Sequence, residues 1–229
     1  MLTVSPRARI FLLTNNQNSG LLQDTDVYQR AADAYLRDSV WNRNKLTIDT
    51  GALAHALRNQ FAELRTVNVT LPLFAHNPVI YIEPAQPVLQ LAGRNGSFVV
   101  DKEGTAVAAA GSVPASVTSR LPVVQDQSGV TIALHKQALT SESVNFILTV
   151  QSQLAAKQVS VASMTLPAGT NELDVQLADK PYYVKFNLQG KNARQQAGTL
   201  LATMALLQKQ NITPSAYIDV RVDGRAYYK

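Results

Sequence analysis

Hydrophobic and polar positions change their period several times in the first third of the chain, and each change marks a new element. Residues 8–14 form a short apolar run typical of a buried strand. Apolar side chains then recur at helical spacing over about 26–39 and 49–62. They alternate with polar ones over 67–71 and 79–83, as in half-buried strands. The order strand, helix, helix, strand, strand predicts a compact α+β unit.

Three finer expectations follow from this region. The first helix carries four apolar residues at helical spacing: Val27, Ala31, Ala34 and Tyr35. Trp41, the only tryptophan, is expected to pack under the first helix pair. A polar loop is expected at 15–20.

A proline-containing stretch, EPAQP at 83–87, predicts a domain boundary, with one domain over 1–84 and a second over 85–229. The second domain is richer in strand patterns, with alternating runs over 173–177 and 182–188 that read as adjacent strands. Its two helices are predicted over 141–157, capped by Ser141, and over about 192–210. The whole chain is therefore expected to be α+β, with a larger mixed α/β domain and a mainly antiparallel sheet.

The closing stretch AYIDVRVDGRAYYK, residues 216–229, alternates like a strand up to a turn signal at Asp223 and Gly224. A final strand over 225–229 would then leave unpaired backbone N–H and C=O groups along one side. One interpretation is that Arg225 and Lys229 guard this edge, or that the fold covers it. The other is that a partner chain binds there.

Composition excludes several classes of function. The absence of cysteine excludes disulfides, thiol nucleophiles and zinc-thiolate sites. The net charge of +5 comes from scattered basic residues, without the clusters and interleaved aromatics of a nucleic-acid groove, so no nucleic-acid partner is expected. The histidines His55, His76 and His135 stand apart from any metal-binding motif. No nucleophile elbow, phosphate loop or dinucleotide fingerprint is present, so we expect no enzyme, no metal and no cofactor.

Four short motifs and their order along the chain are informative. They are LRTVNVTLPLFAHNPVIYIEPAQP at 64–87, FVVDKEGTAV at 98–107, LP at 121–122 and YIDVRVDGRAYYK at 217–229. In this order the motifs resemble the extracytoplasmic part of the bacterial cell-division protein family FtsQ, also called DivIB. Within the motifs, Glu83, Pro87, Asp101 and Gly104 stand at the positions that these residues have in the pattern of that family.

The resemblance implies an N-terminal POTRA-like βααββ domain, a β-rich second domain, and a scaffolding role in the division machinery, or divisome. It also implies a single-pass protein of the cytoplasmic membrane, whose transmembrane helix is absent from this chain and whose remainder lies on the extracytoplasmic side at the septum. FtsB-like and FtsL-like proteins are the expected partners, and other divisome components would contact the POTRA-like domain. An alternative is a POTRA-bearing component of protein translocation or outer-membrane assembly, and a third is an exported hydrolase with an unrecognised site.

By the same resemblance, an FtsB-like partner adds a strand to the closing edge. The residues implied are Tyr217, Asp219, Arg221, Ala226, Tyr227 and Tyr228. Tyr227 or Tyr228 would serve as the anchor, because tyrosine offers a large contact area and a polar tip. The alternative for Tyr228 is packing on the helix of 192–210.

Overall fold

The computed structural model describes residues 2–13, 23–189 and 192–229. Within these residues the chain is a mixed α/β protein with five α-helices and two β-sheets, one of three strands and one of nine. It divides into two compact units, which we describe separately. The loop expected at 15–20 lies outside the described residues.

Unit 1 comprises residues 1–86 with 112–115. Its elements are β1 (Arg9–Leu12), α1 (Thr25–Asp38), a 3-10 turn (Val40–Arg43), α2 (Thr50–Gln60), β2 (Leu64–Thr70) and β3 (Val79–Pro84). The central strand β3 runs parallel to β1 and antiparallel to β2. Its Ile80 and Ile82 are fully buried and belong to one hydrophobic core with side chains of both helices. The strand and helix order is the one the sequence pattern predicts.

The most buried face of α1 differs from the predicted one by one residue. Tyr28, Ala32 and Leu36 are fully buried, whereas Ala34 is exposed. Tyr28 takes the central place because its hydroxyl donates a hydrogen bond to the buried carboxylate of Glu63, at 3.1 Å. Burial raises the pKa of Tyr28, and the charge of Glu63 adds to the shift. The other three predicted residues, Val27, Ala31 and Tyr35, are partly buried and pack against the same core.

Trp41 does not pack under the helices. Its side chain is 68% exposed, in the 3-10 turn that follows α1. The turn is capped by Ser39, whose hydroxyl accepts from the Trp41 N–H at 3.3 Å. This tight turn brings Trp41 to the surface, so the predicted packing role is wrong.

Unit 2 comprises residues 87–111 with 116–229. Its strands are β4 (Pro87–Gly93), β5 (Gly96–Asp101), β6 (Ala106–Ala109), β7 (Val123–Asp126), β8 (Val161–Leu166), β9 (Glu172–Leu177), β10 (Tyr183–Asn187), β11 (Tyr217–Asp219) and β12 (Tyr227–Tyr228). The strand order across the sheet is β12-β11-β10-β9-β8-β7-β4-β5-β6. Three neighbouring pairs are parallel, namely β4 with β7, β7 with β8 and β10 with β11, and the other five are antiparallel. The sheet is mainly antiparallel, as predicted.

Two long helices share the core of this sheet. They are α4 (Ser141–Ala155) and α5 (Ala193–Lys209), and a short helix, α3 (Ala115–Thr118), precedes β7. Phe146 of α4 meets Phe186 of β10 edge to face, with ring centroids 6.4 Å apart. The cap of α4 is Thr140, one residue before the predicted Ser141, because the Thr140 hydroxyl accepts from the N–H of Ser143 at 3.1 Å.

Candidate partner-binding edge of the large sheet

The nine-stranded sheet ends at β12, which pairs with β11 and has no second neighbour within the described residues. Ile218 lies opposite Tyr228, and Asp219 lies opposite Tyr227. The pairing extends one residue further, because the N–H of Lys229 donates to the carbonyl of Tyr217 at 3.1 Å. β12 is therefore an edge strand.

The direction of the backbone groups on β12 follows from this pairing. Successive strand residues point their N–H and C=O groups to opposite sides of the strand. Lys229 points toward β11, and so Tyr227 points the same way. Tyr228 consequently directs its backbone groups away from the sheet. This is the position at which an added strand would form its first hydrogen bonds.

Two exposed aromatic side chains flank this edge. Tyr227 is 52% exposed and shares the sheet face of Asp219, whereas Tyr228 is 48% exposed and shares the face of the buried Ile218. Tyr228 thus lies on the side of the sheet that the helices cover, but half of its side chain remains accessible. Ala226 is partly buried and packs against the core cluster of unit 2. The two tyrosines are accessible to a partner, and Ala226 ties the strand to the domain.

The connection between β11 and β12 is longer than predicted. The sequence pattern predicts a strand over 216–223 and a two-residue turn, but β11 ends at Asp219 and residues 220–226 connect it to β12. The chain bends there because the Asp219 carboxylate accepts from the backbone N–H of Arg221 at 3.0 Å. Gly224 has a φ of +68°, so the predicted turn residue does adopt the left-handed conformation, within a wider loop.

A network of charges lies beside this loop. Arg221 donates to both oxygens of Asp219, at 2.9 and 2.6 Å, and to Glu172 of β9 at 2.6 Å. Lys185 of β10 lies 3.7 Å from the other oxygen of Glu172. Burial opposes the ionisation of Asp219, but the hydrogen bonds from Arg221 outweigh burial and lower the pKa of Asp219. Hydrogen bonding to Asp219 likewise raises the pKa of Arg221. The network fixes the start of the loop to two neighbouring strands.

The same face carries two tyrosine rings and a lysine ammonium that lies near both of them. The ammonium of Lys185 lies 5.5 Å from the ring centroid of Tyr183 and 5.6 Å from that of Tyr217. Next to it, one oxygen of Asp174 is buried without a hydrogen-bond partner. Burial, followed by the charge of Glu172, raises the pKa of Asp174. This face of β9, β10 and β11 therefore carries polar and charged side chains that contact one another.

The structure brings Tyr217, Asp219 and Arg221 into this single network, and it places Tyr227 and Tyr228 on the neighbouring strand. Two residues of this network were not predicted: Glu172, which binds Arg221, and Lys185, which lies over the rings of Tyr183 and Tyr217. A signal for both was present, since alternation in 172–177 and 183–187 puts them on the face opposite the apolar residues.

No model of a known protein family matches this chain, and no curated protein matches it. Within the described residues, no helix is long and apolar enough to cross a membrane. The same residues contain no cluster of three or more histidine, aspartate or glutamate side chains that could hold a metal ion. The features that bear on function are the geometry of the β12 edge and the four sequence motifs.

Proposed function

We propose that this chain is a non-enzymatic scaffold of the bacterial division machinery, of the FtsQ or DivIB kind, which binds an FtsB-like partner by strand addition along β12. The observation that carries the proposal is the outer side of β12, where the backbone groups of Tyr228 point outward beside two half-exposed tyrosines. Affinity for an added strand comes from main-chain hydrogen bonds, and specificity comes from alternate side chains. This edge offers both outward backbone groups and exposed side chains.

The surrounding structure supports the proposal because it holds β12 in place. β12 has only two residues, so an added strand forms few main-chain hydrogen bonds with it, and each of them depends on β12 being held in place. Its pairing with β11 is reinforced where the carbonyl of Lys229 accepts from the N–H groups of Ser215 and Ala216, at 2.7 and 2.8 Å. A preorganised edge loses less conformational entropy when a partner binds.

Unit 1 supports the same proposal by its element order. The βααββ order is that of the POTRA-like domain implied by the resemblance, and we propose that this unit contacts other divisome components. The proposal includes a place on the extracytoplasmic side of the cytoplasmic membrane at the septum, with FtsL-like proteins joining through the FtsB-like partner.

A proline at position 228 tests strand addition at the backbone. The Tyr228 N–H points away from β11, so Tyr228→Pro removes an outward donor without breaking a hydrogen bond inside the sheet. Tyr228→Ala is the matched control, since it removes the same side chain but keeps the N–H. Binding of the soluble segment of the FtsB-like protein from the same organism would be measured by titration calorimetry, with circular dichroism to check folding.

We expect Tyr228→Ala to weaken binding about tenfold, the effect of losing an aromatic anchor. Tyr228→Pro should weaken it at least about tenfold more, because the added strand loses a hydrogen bond and meets the proline ring. Equal affinities for the two variants would refute strand addition at this edge. Failure of the unaltered chain to bind the segment would refute the proposed partner.

A further inference from the structure

A second surface, on unit 1, is built from three segments that hydrogen bonds hold together. They are residues 2–9, 40–47 and 71–78, which we call the loop patch. Backbone hydrogen bonds run from Lys45 N to Leu2 O (2.7 Å), from Val4 N to Arg43 O (2.8 Å) and from Ser5 N to His76 O (2.7 Å). The ammonium of Lys45 also donates to the carbonyls of Pro72, at 2.6 Å, and Leu73, at 3.1 Å. The loops of this patch are thus fixed relative to one another.

The loop patch carries large apolar side chains that stay exposed among the described residues. Phe74 is 99% exposed and Leu73 is 82% exposed, at the tip of the connection between β2 and β3. The exposed set is Leu2, Val40, Trp41, Leu46, Leu73 and Phe74. Soluble domains seldom expose several large apolar residues on adjoining loops unless the surface binds something.

The charges of the loop patch indicate what binds there. Its three segments contain four cationic side chains, Arg7, Arg9, Arg43 and Lys45, and no aspartate or glutamate. Arg7, Arg9 and Arg43 are exposed. A surface that combines exposed tryptophan, phenylalanine and leucine with exposed arginines is complementary to an apolar phase bordered by negative charge.

We propose that the loop patch inserts into the interface of an anionic lipid bilayer. Phe74 and Leu73 are almost fully exposed on the loop between β2 and β3, so acyl chains can surround both side chains. Trp41 has the side chain that favours the level of the lipid headgroups. The cations would bind the negative surface, and Lys45 would hold the inserting tip in place through the two carbonyls. This inference goes beyond the proposed function and is independent of the β12 edge.

Trp41 supplies the measurement, because it is the only tryptophan in the chain and lies in the patch. The chain would be titrated with vesicles of phosphatidylcholine alone and with vesicles that also contain phosphatidylglycerol, while tryptophan emission and co-sedimentation are recorded. The test variant is Leu73→Ser with Phe74→Ser. Its matched control is Val130→Ser with Leu134→Ser, two exposed apolar residues of unit 2.

We expect a blue shift and co-sedimentation with the anionic vesicles only. The double change at 73 and 74 should lower vesicle affinity at least about tenfold, and the control should bind like the unaltered chain. Arg43→Gln should lower it about fivefold, with a weaker salt dependence. Absence of binding to anionic vesicles, or equal binding by the test and control variants, would overturn the proposal. A tryptophan shift that depends on protein concentration without vesicles would also overturn it, in favour of self-association.

Discussion

Replacing Gly104 with alanine should destabilise unit 2 far more than the same change at Gly129. Both glycines have positive φ, +86° and +78°. A Cβ on Gly129 would meet nothing within 4 Å, whereas a Cβ on Gly104 would overlap the carbonyl oxygen of Leu139 and lie 2.7 Å from its carbonyl carbon. Comparing the two variants therefore separates the free-energy cost of the positive φ from the free-energy cost of the contact with Leu139.

The contacts around Gly104 set the expected loss in the free energy of unfolding. A positive φ costs a residue with a Cβ roughly 1–2 kcal/mol, partly offset by the stiffer unfolded chain, so Gly129→Ala should cost about 1 kcal/mol. The carbonyl of Gly104 also accepts from the N–H groups of Ala138, at 2.8 Å, and Leu139, at 3.1 Å. Moving the turn away from Leu139 would break both hydrogen bonds, at about 1 kcal/mol each. Gly104→Ala should therefore cost about 3 kcal/mol.

Urea unfolding followed by far-ultraviolet circular dichroism measures the difference. For a denaturant dependence of about 2 kcal/mol per molar, the midpoint should fall by about 1.5 M for Gly104→Ala and by about 0.5 M for Gly129→Ala. Hydrogen exchange should rise in the turn at 101–105 and at residues 138–139 in the first variant only. Equal shifts of the two midpoints would refute the close approach between this turn and Leu139.

Two further predictions concern the charged face of unit 2. Arg221→Gln should lower the free energy of unfolding by about 1–2 kcal/mol, because the mostly buried Glu172 loses its 2.6 Å donor. Arg225→Gln, in the same exposed loop, should change it by less than about 0.5 kcal/mol; equal losses in urea unfolding would contradict the role of the network. Burial raises the pKa of Asp174 above its unfolded value, so its stabilising contribution is present at low pH and is lost as the pH rises through the folded pKa. Asp174→Asn should thus match the unaltered chain below about pH 4 and exceed it in stability near neutrality; parallel pH profiles would show that this carboxylate titrates as it does in the unfolded chain.

Periodicity located most of the elements because it reflects which residues can face a core. The helix predicted over 192–210 is α5, Ala193–Lys209, and the alternating run at 173–177 is β9, which begins one residue earlier. The errors occurred where a side chain made a specific polar contact. The Ser39 hydroxyl caps the 3-10 turn that exposes Trp41, and the Asp219 carboxylate ends β11 early by accepting from the N–H of Arg221. Hydrophobic patterns carry no information about such hydrogen bonds.

The candidate binding edge was predictable only in part. The alternation and the Asp223–Gly224 signal indicated a closing hairpin, and β12 does pair with β11. That Tyr228 directs its backbone outward and keeps half of its side chain exposed depends on the strand register, which is a property of the assembled sheet.

Local backbone preference and the burial of apolar side chains act over a few neighbouring residues, and so the sequence pattern predicted the element order of unit 1, the two long helices of unit 2 and most strands. Which distant residues meet is visible only in the folded chain. Arg221 binds Glu172 from 49 positions away, and Lys45 supports the loop that carries Phe74. Such meetings depend on how strands and loops are placed side by side, which the hydrophobic pattern of a single chain does not encode.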